Sequence, residues 1–115
     1  MKNLFNTVQL IGHLGQKPEI FTLETGRMVA RVSLATNEQY YSSSGEKVNN
    51  TSWHNLVAWD KKANFLEKYF AKGNRVLVHG RIATRQYEDK NGIKRNVTEV
   101  IVSDLMKFDK SEVEY

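Results

Sequence analysis

Residues 28–36, MVARVSLAT, permit one local structure. Met28, Ala30, Val32 and Leu34 alternate with Val29, Arg31 and Ser33, a two-residue period that sends the first set to one face of a β-strand. A helix would scatter the same residues around its circumference. Residues 51–59, TSWHNLVAW, repeat the period with a different outcome. His54, Leu56 and Ala58 share one face, and Leu56 and Ala58 read as core. Trp53, Asn55, Val57 and Trp59 share the other, which therefore holds both tryptophans of the chain. Since one face already supplies a core, the indoles on the second suit a planar ligand.

The remaining chain continues in short strands separated by turn signals. Residues 6–14 put Val8, Leu10 and Leu14 on one face, and the segment from Gly15 to Pro18 breaks the run. A short extended piece over 19–23 turns at Thr25-Gly26, and Ser42 to Gly45 reads as a flexible loop. Asp60 is placed to cap a helix over 61–70, with an apolar stripe of Ala63, Leu66, Tyr69 and Phe70 and with Gly73 to close it. Long strands over 75–87 and 94–105 are joined at Asp89-Lys90-Asn91-Gly92, a hairpin signal. Five main strands with a helix between the third and fourth are the order of an OB-fold, an all-β, five-stranded Greek-key barrel with one helix. Neither repeat nor linker interrupts it, so one domain is expected over residues 1–108, followed by a short acidic end over 109–115.

Composition narrows the function. The 115 residues contain no cysteine, so there is no disulfide framework and no thiolate metal site, as in a reducing compartment. The opening MKNLFNTVQLIGHLG is interrupted by Asn3, Asn6, Gln9 and His13 and lacks the apolar run of a signal peptide or a spanning helix. A cytoplasmic protein with no membrane contact is expected. The net charge is +4, but DKSEVEY holds three acids and one base, so the preceding 108 residues carry +6. His13, His54 and His79 lie in different strands without ligand spacing, and no phosphate-loop lysine motif, nucleophile elbow or HExxH occurs. No metal, no cofactor and no catalysis are expected; an enzyme would have to be a nuclease built from scattered acids.

Several segments together resemble the bacterial-type single-stranded DNA-binding proteins: VQLIGHLGQKPE, ARVSLAT, TSWHNLVAW, KGNRVLVHGRI after the helix, then TRQY, an acidic turn and TEVIV. They follow the family's order and spacing over residues 6–102. The resemblance implies an OB-fold protein, not an enzyme, that assembles as a homotetramer and wraps single-stranded DNA in replication, repair and recombination. It also implies base-stacking roles for Tyr40, Trp53, Trp59 and Tyr87, with Tyr40 and Tyr87 standing where tryptophan is common. Gln86 replaces a family base. The family's long flexible tail with its acidic tip has no counterpart before the end at DKSEVEY, so recruitment of replication and repair proteins is expected to be weakened.

The residues support the same chemistry without the resemblance. Sequence-tolerant binding of single strands needs flat faces for bases and cations for phosphates. Arg81, Arg85 and Tyr87 share one parity, and Arg31, Lys61, Lys72 and Arg85 are the candidate phosphate contacts, with Lys62 also flanking the helix. His54, facing away from the tryptophans, is a candidate subunit contact or hydrogen-bonded core residue. Stacking does not separate DNA from RNA, and an OB-fold module for RNA or for a replication-restart protein complex remains an alternative.

Overall fold

The computed structural model describes residues 4–108, so the acidic end expected over 109–115 lies outside the described residues. Seven elements follow one another: β1 (Val8–Leu14), β2 (Glu19–Thr22), β3 (Met28–Tyr41), β4 (Lys47–Trp59), α1 (Lys61–Tyr69), β5 (Arg75–Glu88) and β6 (Lys94–Lys107). The strands run β1-β5-β6-β4-β3-β2, and a further pairing of β1 with β3 closes the ring. Five strands thus form a closed barrel, with β2 as an edge on β3. Neighbours are antiparallel except β4 and β6, which run parallel through Leu56 opposite Val100 and Val57 opposite Ile101. This is the OB-fold expected from the order of elements.

Strand alternation fills the barrel. Val32, Leu34, Leu56, Ala58, Val76, Val78, Val100 and Val102 point inward and are buried, and Leu14 joins them from β1. A barrel of five strands leaves room only for side chains, so aliphatic residues occupy it without a channel. Ala63 and Leu66 of the helix, with Phe70 just past its end, pack against the same core. Tyr69, expected in that stripe, is exposed instead. The helix buries one row, Ala63 and Leu66, which the extended Phe70 at its C-cap continues, and Tyr69 falls outside it.

Two glycines permit the tight curvature. A Cβ on Gly12 would collide with the carbonyl oxygen of Ala35, where β1 crosses β3, and one on Gly80 would collide with that of Ile101. At Gly80 the register between β5 and β6 shifts by a bulge, which bends the strand around the barrel. Without a side-chain-free residue at Gly12 β1 could not cross β3 so closely, and without one at Gly80 β5 could not bend against β6.

Three local expectations change. β3 and β4 continue past Thr36 and Thr51 into a hairpin paired out to Tyr41 and Lys47. Ser42 to Gly45 is a hydrogen-bonded turn, Ser42 N–H to Glu46 O and Gly45 N–H to Ser42 O, with Gly45 at φ 85°. Residues 37–41 are all exposed, so the hairpin leaves the barrel as an arm. Asp60 makes no side-chain cap for the helix. Its carboxylate accepts instead from Arg27 and from the Met28 N–H, at the cost of a φ of 52°. The β5–β6 hairpin does turn at the expected place, where Asp89 accepts from the N–H groups of Asn91 and Ile93 and from Arg95.

Truncation of the core should expose this architecture in the stability. Leu56→Ala is expected to lower the unfolding free energy by about 2 to 5 kcal/mol. Gly12→Ala, whose methyl meets backbone rather than a flexible side chain, is expected to cost about 1 to 3 kcal/mol. Urea midpoints for the two variants against wild type provide the check.

Candidate nucleic-acid interface

The outer face of β3, β4, β5 and β6 gathers most of the residues singled out in the sequence. Regular pairing sets Trp53 opposite Ala35, Asn55 opposite Ser33, Val57 opposite Arg31 and Trp59 opposite Val29. On β5 the same outer face carries Arg85 and Tyr87. Between the two pairs of strands lies an open groove of roughly 330 Å³, lined by Gln16, Arg31, Ser33, Asn55, Arg85, Tyr87 and Glu99, among others. Amide, hydroxyl, guanidinium and phenol groups therefore converge on one concavity.

Trp53 is 62% exposed and held from behind. A Cβ on Gly15 would come within 2.5 Å of the Trp53 ring, so the ring rests against bare backbone at the end of β1. That seat fixes the indole while leaving much of it open to solvent. Trp59 is different. It is half-buried, and the Arg27 guanidinium lies 4.4 Å from its ring centroid, itself anchored to Asp60 at 2.9 Å. One face of that indole already has a cation on it.

Glu99 is the feature that sequence reading missed. It is a buried charged residue, only 4% exposed, and it accepts hydrogen bonds from both Arg31 and Arg85. Burial pushes its pKa up, but the hydrogen bonds from Arg85 and Arg31, with their charges, outweigh this and hold it below the usual 4.5. Two of the four expected phosphate contacts are thus oriented by an internal carboxylate. Both remain partly exposed, at 38% and 47%, so each guanidinium still presents surface to the groove. Arg85 also lies 5.8 Å from the Tyr87 ring centroid, placing a cation beside a partly exposed aromatic.

The other candidates are spread further. Lys61 and Lys72 are exposed at the two ends of the helix and join no ion pair among the described residues, whereas Lys62 lies 3.8 Å from Asp104. Lys72 precedes Gly73, whose N–H donates to Leu14 O, so it stands near the turn that seats Trp53. Tyr40 is exposed but pairs with Val48 on the opposite face of the arm from Trp53, and Tyr41 takes the tryptophan face. His54 faces away from the indoles, and its Nε2 lies 2.9 Å from Thr36 Oγ1. Among the described residues no cluster of His, Cys, Asp or Glu could hold a metal, and no helix is long and apolar enough to cross a membrane.

The single-strand binding protein family model matches residues 5–108. Single-stranded DNA-binding protein 1 of Chlorobaculum tepidum is 42% identical over 101 residues, covering 87% of this chain and 62% of that protein. The single-stranded DNA-binding protein of Neisseria meningitidis is 36% identical over 100 residues, covering 87% of this chain and 58% of its own length. The chain therefore spans about 60% of the length of these curated relatives. A Plasmodium falciparum SSB solved as a complex with ssDNA superposes with a TM-score of 0.85 at 36% identity, covering 95% of this chain and 99% of that one.

The Glu99 cluster has a pH signature. Because its pKa is depressed by folding, its contribution to stability is fully present above about pH 4.5 and is lost as pH falls through the folded value. Glu99→Gln lacks that contribution at every pH. Urea midpoints of wild type and variant should therefore converge between neutral pH and pH 3, and a constant gap would contradict the assignment.

Proposed function

The chain belongs to the single-strand binding protein family, and on that premise we propose that it binds single-stranded DNA without strong sequence preference along the outer face of the barrel. The observation that carries the reading is Trp53, seated on Gly15 with much of its indole open, beside a groove that holds Arg31, Arg85 and Tyr87. Bases stack on Trp53 and Tyr87. Trp59 contributes where Arg27 shares or vacates its face, and Tyr40 where the strand passes round the arm. Arg31 and Arg85, held by Glu99, meet phosphates at the groove, and Lys61 and Lys72 meet them at the helix ends.

The chemistry needs no catalytic group. A single strand offers unstacked base faces, and every base has one, so aromatic platforms bind regardless of sequence. Phosphate contacts release counterions and add affinity that salt removes. The reading extends to a cytoplasmic, nucleoid-associated role in covering DNA during replication, repair and recombination, as a binding protein rather than an enzyme. One OB-fold covers roughly 4 to 16 nucleotides. A homotetramer would let a longer strand run over several copies, with His54 near the subunit contact. Replication and repair proteins would be further partners.

Equilibrium titration with (dT)20, its RNA counterpart and a duplex of equal length tests the reading. Single-stranded DNA should bind more tightly than duplex, whose base faces are already stacked, and preference for RNA would favour an RNA-binding module. Four phosphate contacts predict a salt slope of about −3, at roughly −0.7 for each contact. Trp53→Ala should weaken binding by about 1 to 3 kcal/mol with little loss of fold. Equal affinity for duplex and single strand at moderate salt would contradict the proposal. Light scattering at micromolar concentration should return a tetramer mass, and a monomer mass would refute the assembly.

A further inference from the structure

Two adjacent tyrosines sit near the tip of the β3–β4 arm, and the register of the hairpin separates them. Pairing runs without a shift from Val29 opposite Trp59 to Tyr41 opposite Lys47. Residues of one parity therefore stay on one face along its whole length. Tyr41 continues the face of Trp53 and Trp59, while Tyr40 stands on the other.

On the tryptophan face the aromatic positions recur at a constant interval. The cross-strand pairs that hold them are Val29–Trp59, Ala35–Trp53 and Tyr41–Lys47, each six residues along from the last. At about 3.3 Å per residue the step is roughly 20 Å. Tyr41 is 73% exposed, more than Tyr40 at 54% or Tyr87 at 44%. Lys47, directly opposite, is exposed as well, and side chains so paired have Cβ atoms about 5 Å apart. An aromatic face and a cation thus stand together at the arm's tip, far from any core that would explain the phenol as packing.

We infer that Tyr41 and Lys47 form an outlying nucleotide site, where one base stacks on the phenol and a neighbouring phosphate meets the ammonium. A strand engaged at Trp53 reaches it by following the same face of the arm. The inference rests on the proposed function, because it extends the surface assigned there.

The two residues leave different marks on binding of (dT)20. Tyr41→Ala should weaken it about 5- to 150-fold, the equivalent of the 1 to 3 kcal/mol of one stacked base, without changing the salt slope. Tyr41→Phe should stay within about twofold of wild type. Lys47→Gln should reduce the magnitude of the salt slope by about 0.7, the contribution of one phosphate contact on a single strand. Trp53→Ala, measured alongside, keeps the two levels apart. If it weakens binding while Tyr41→Ala and Lys47→Gln both match wild type, the outlying site is overturned and the proposed function stands. If neither tryptophan nor tyrosine matters, both are overturned.

Discussion

β1 has seven residues in which to pair with β5 along one edge and reach β3 with the other through His13 and Leu14, and Gly12 sits where the two strands begin to cross. A side chain there would occupy the space of the Ala35 carbonyl. Once the ring closes, strand alternation leaves no choice about the faces: aliphatic side chains fill the interior, and everything of the other parity is turned outward. The same crossing brings Gly15 against Trp53 and Gln16 against Ser33, to which it is bonded at 2.6 Å. Closure of the barrel and construction of the outer surface are thus one event.

The outer surface is not simply a basic patch. Glu99 cancels part of the charge of Arg31 and Arg85, and Asp60 part of that of Arg27. A carboxylate beneath two guanidiniums lowers the gross attraction for a polyanion but fixes where the remaining N–H groups point. Ordering a long side chain on binding would otherwise cost up to about 2 kcal/mol of rotamer entropy. For a surface proposed to meet bases by stacking, a cation held beside Tyr87, as Arg85 is, suits the task better than a large mobile charge. Trp53 shows the same economy of motion, since its ring rests against the backbone of Gly15.

What the sequence disclosed follows the presence of a core. Val32, Leu34, Leu56 and Ala58 were legible because burial imposes a strict alternation on them, and Trp53 stood out because it broke the expectation for a solvent face. Past Thr36 and before Thr51 the stretches NEQYY and KVNN are polar on both faces, so nothing in their pattern marks a strand. Only pairing between the two stretches does so. Which of Tyr40 and Tyr41 shares the tryptophan face depends likewise on the register of that pairing. Asp60 carried a local capping pattern, but Arg27, 33 residues away, competes for its carboxylate and wins. Glu99 was hidden for a related reason: its partners Arg31 and Arg85 lie 68 and 14 residues away in the chain, and an acid beside VIV looks like any solvated strand residue.

The central claim is that one face of the barrel, and not another, carries the nucleic acid. Backbone and indole amide shifts in a nitrogen-15 spectrum, followed during addition of a short thymidine oligonucleotide, read every candidate at once. The account predicts displacement of the Trp53 indole resonance and of the amides of Arg31, Asn55, Arg85 and Tyr87. The helix surface around Glu67, off the face that carries Lys61, should stay unmoved. Displacements gathered on that helix surface, with the Trp53 indole unchanged, would contradict it.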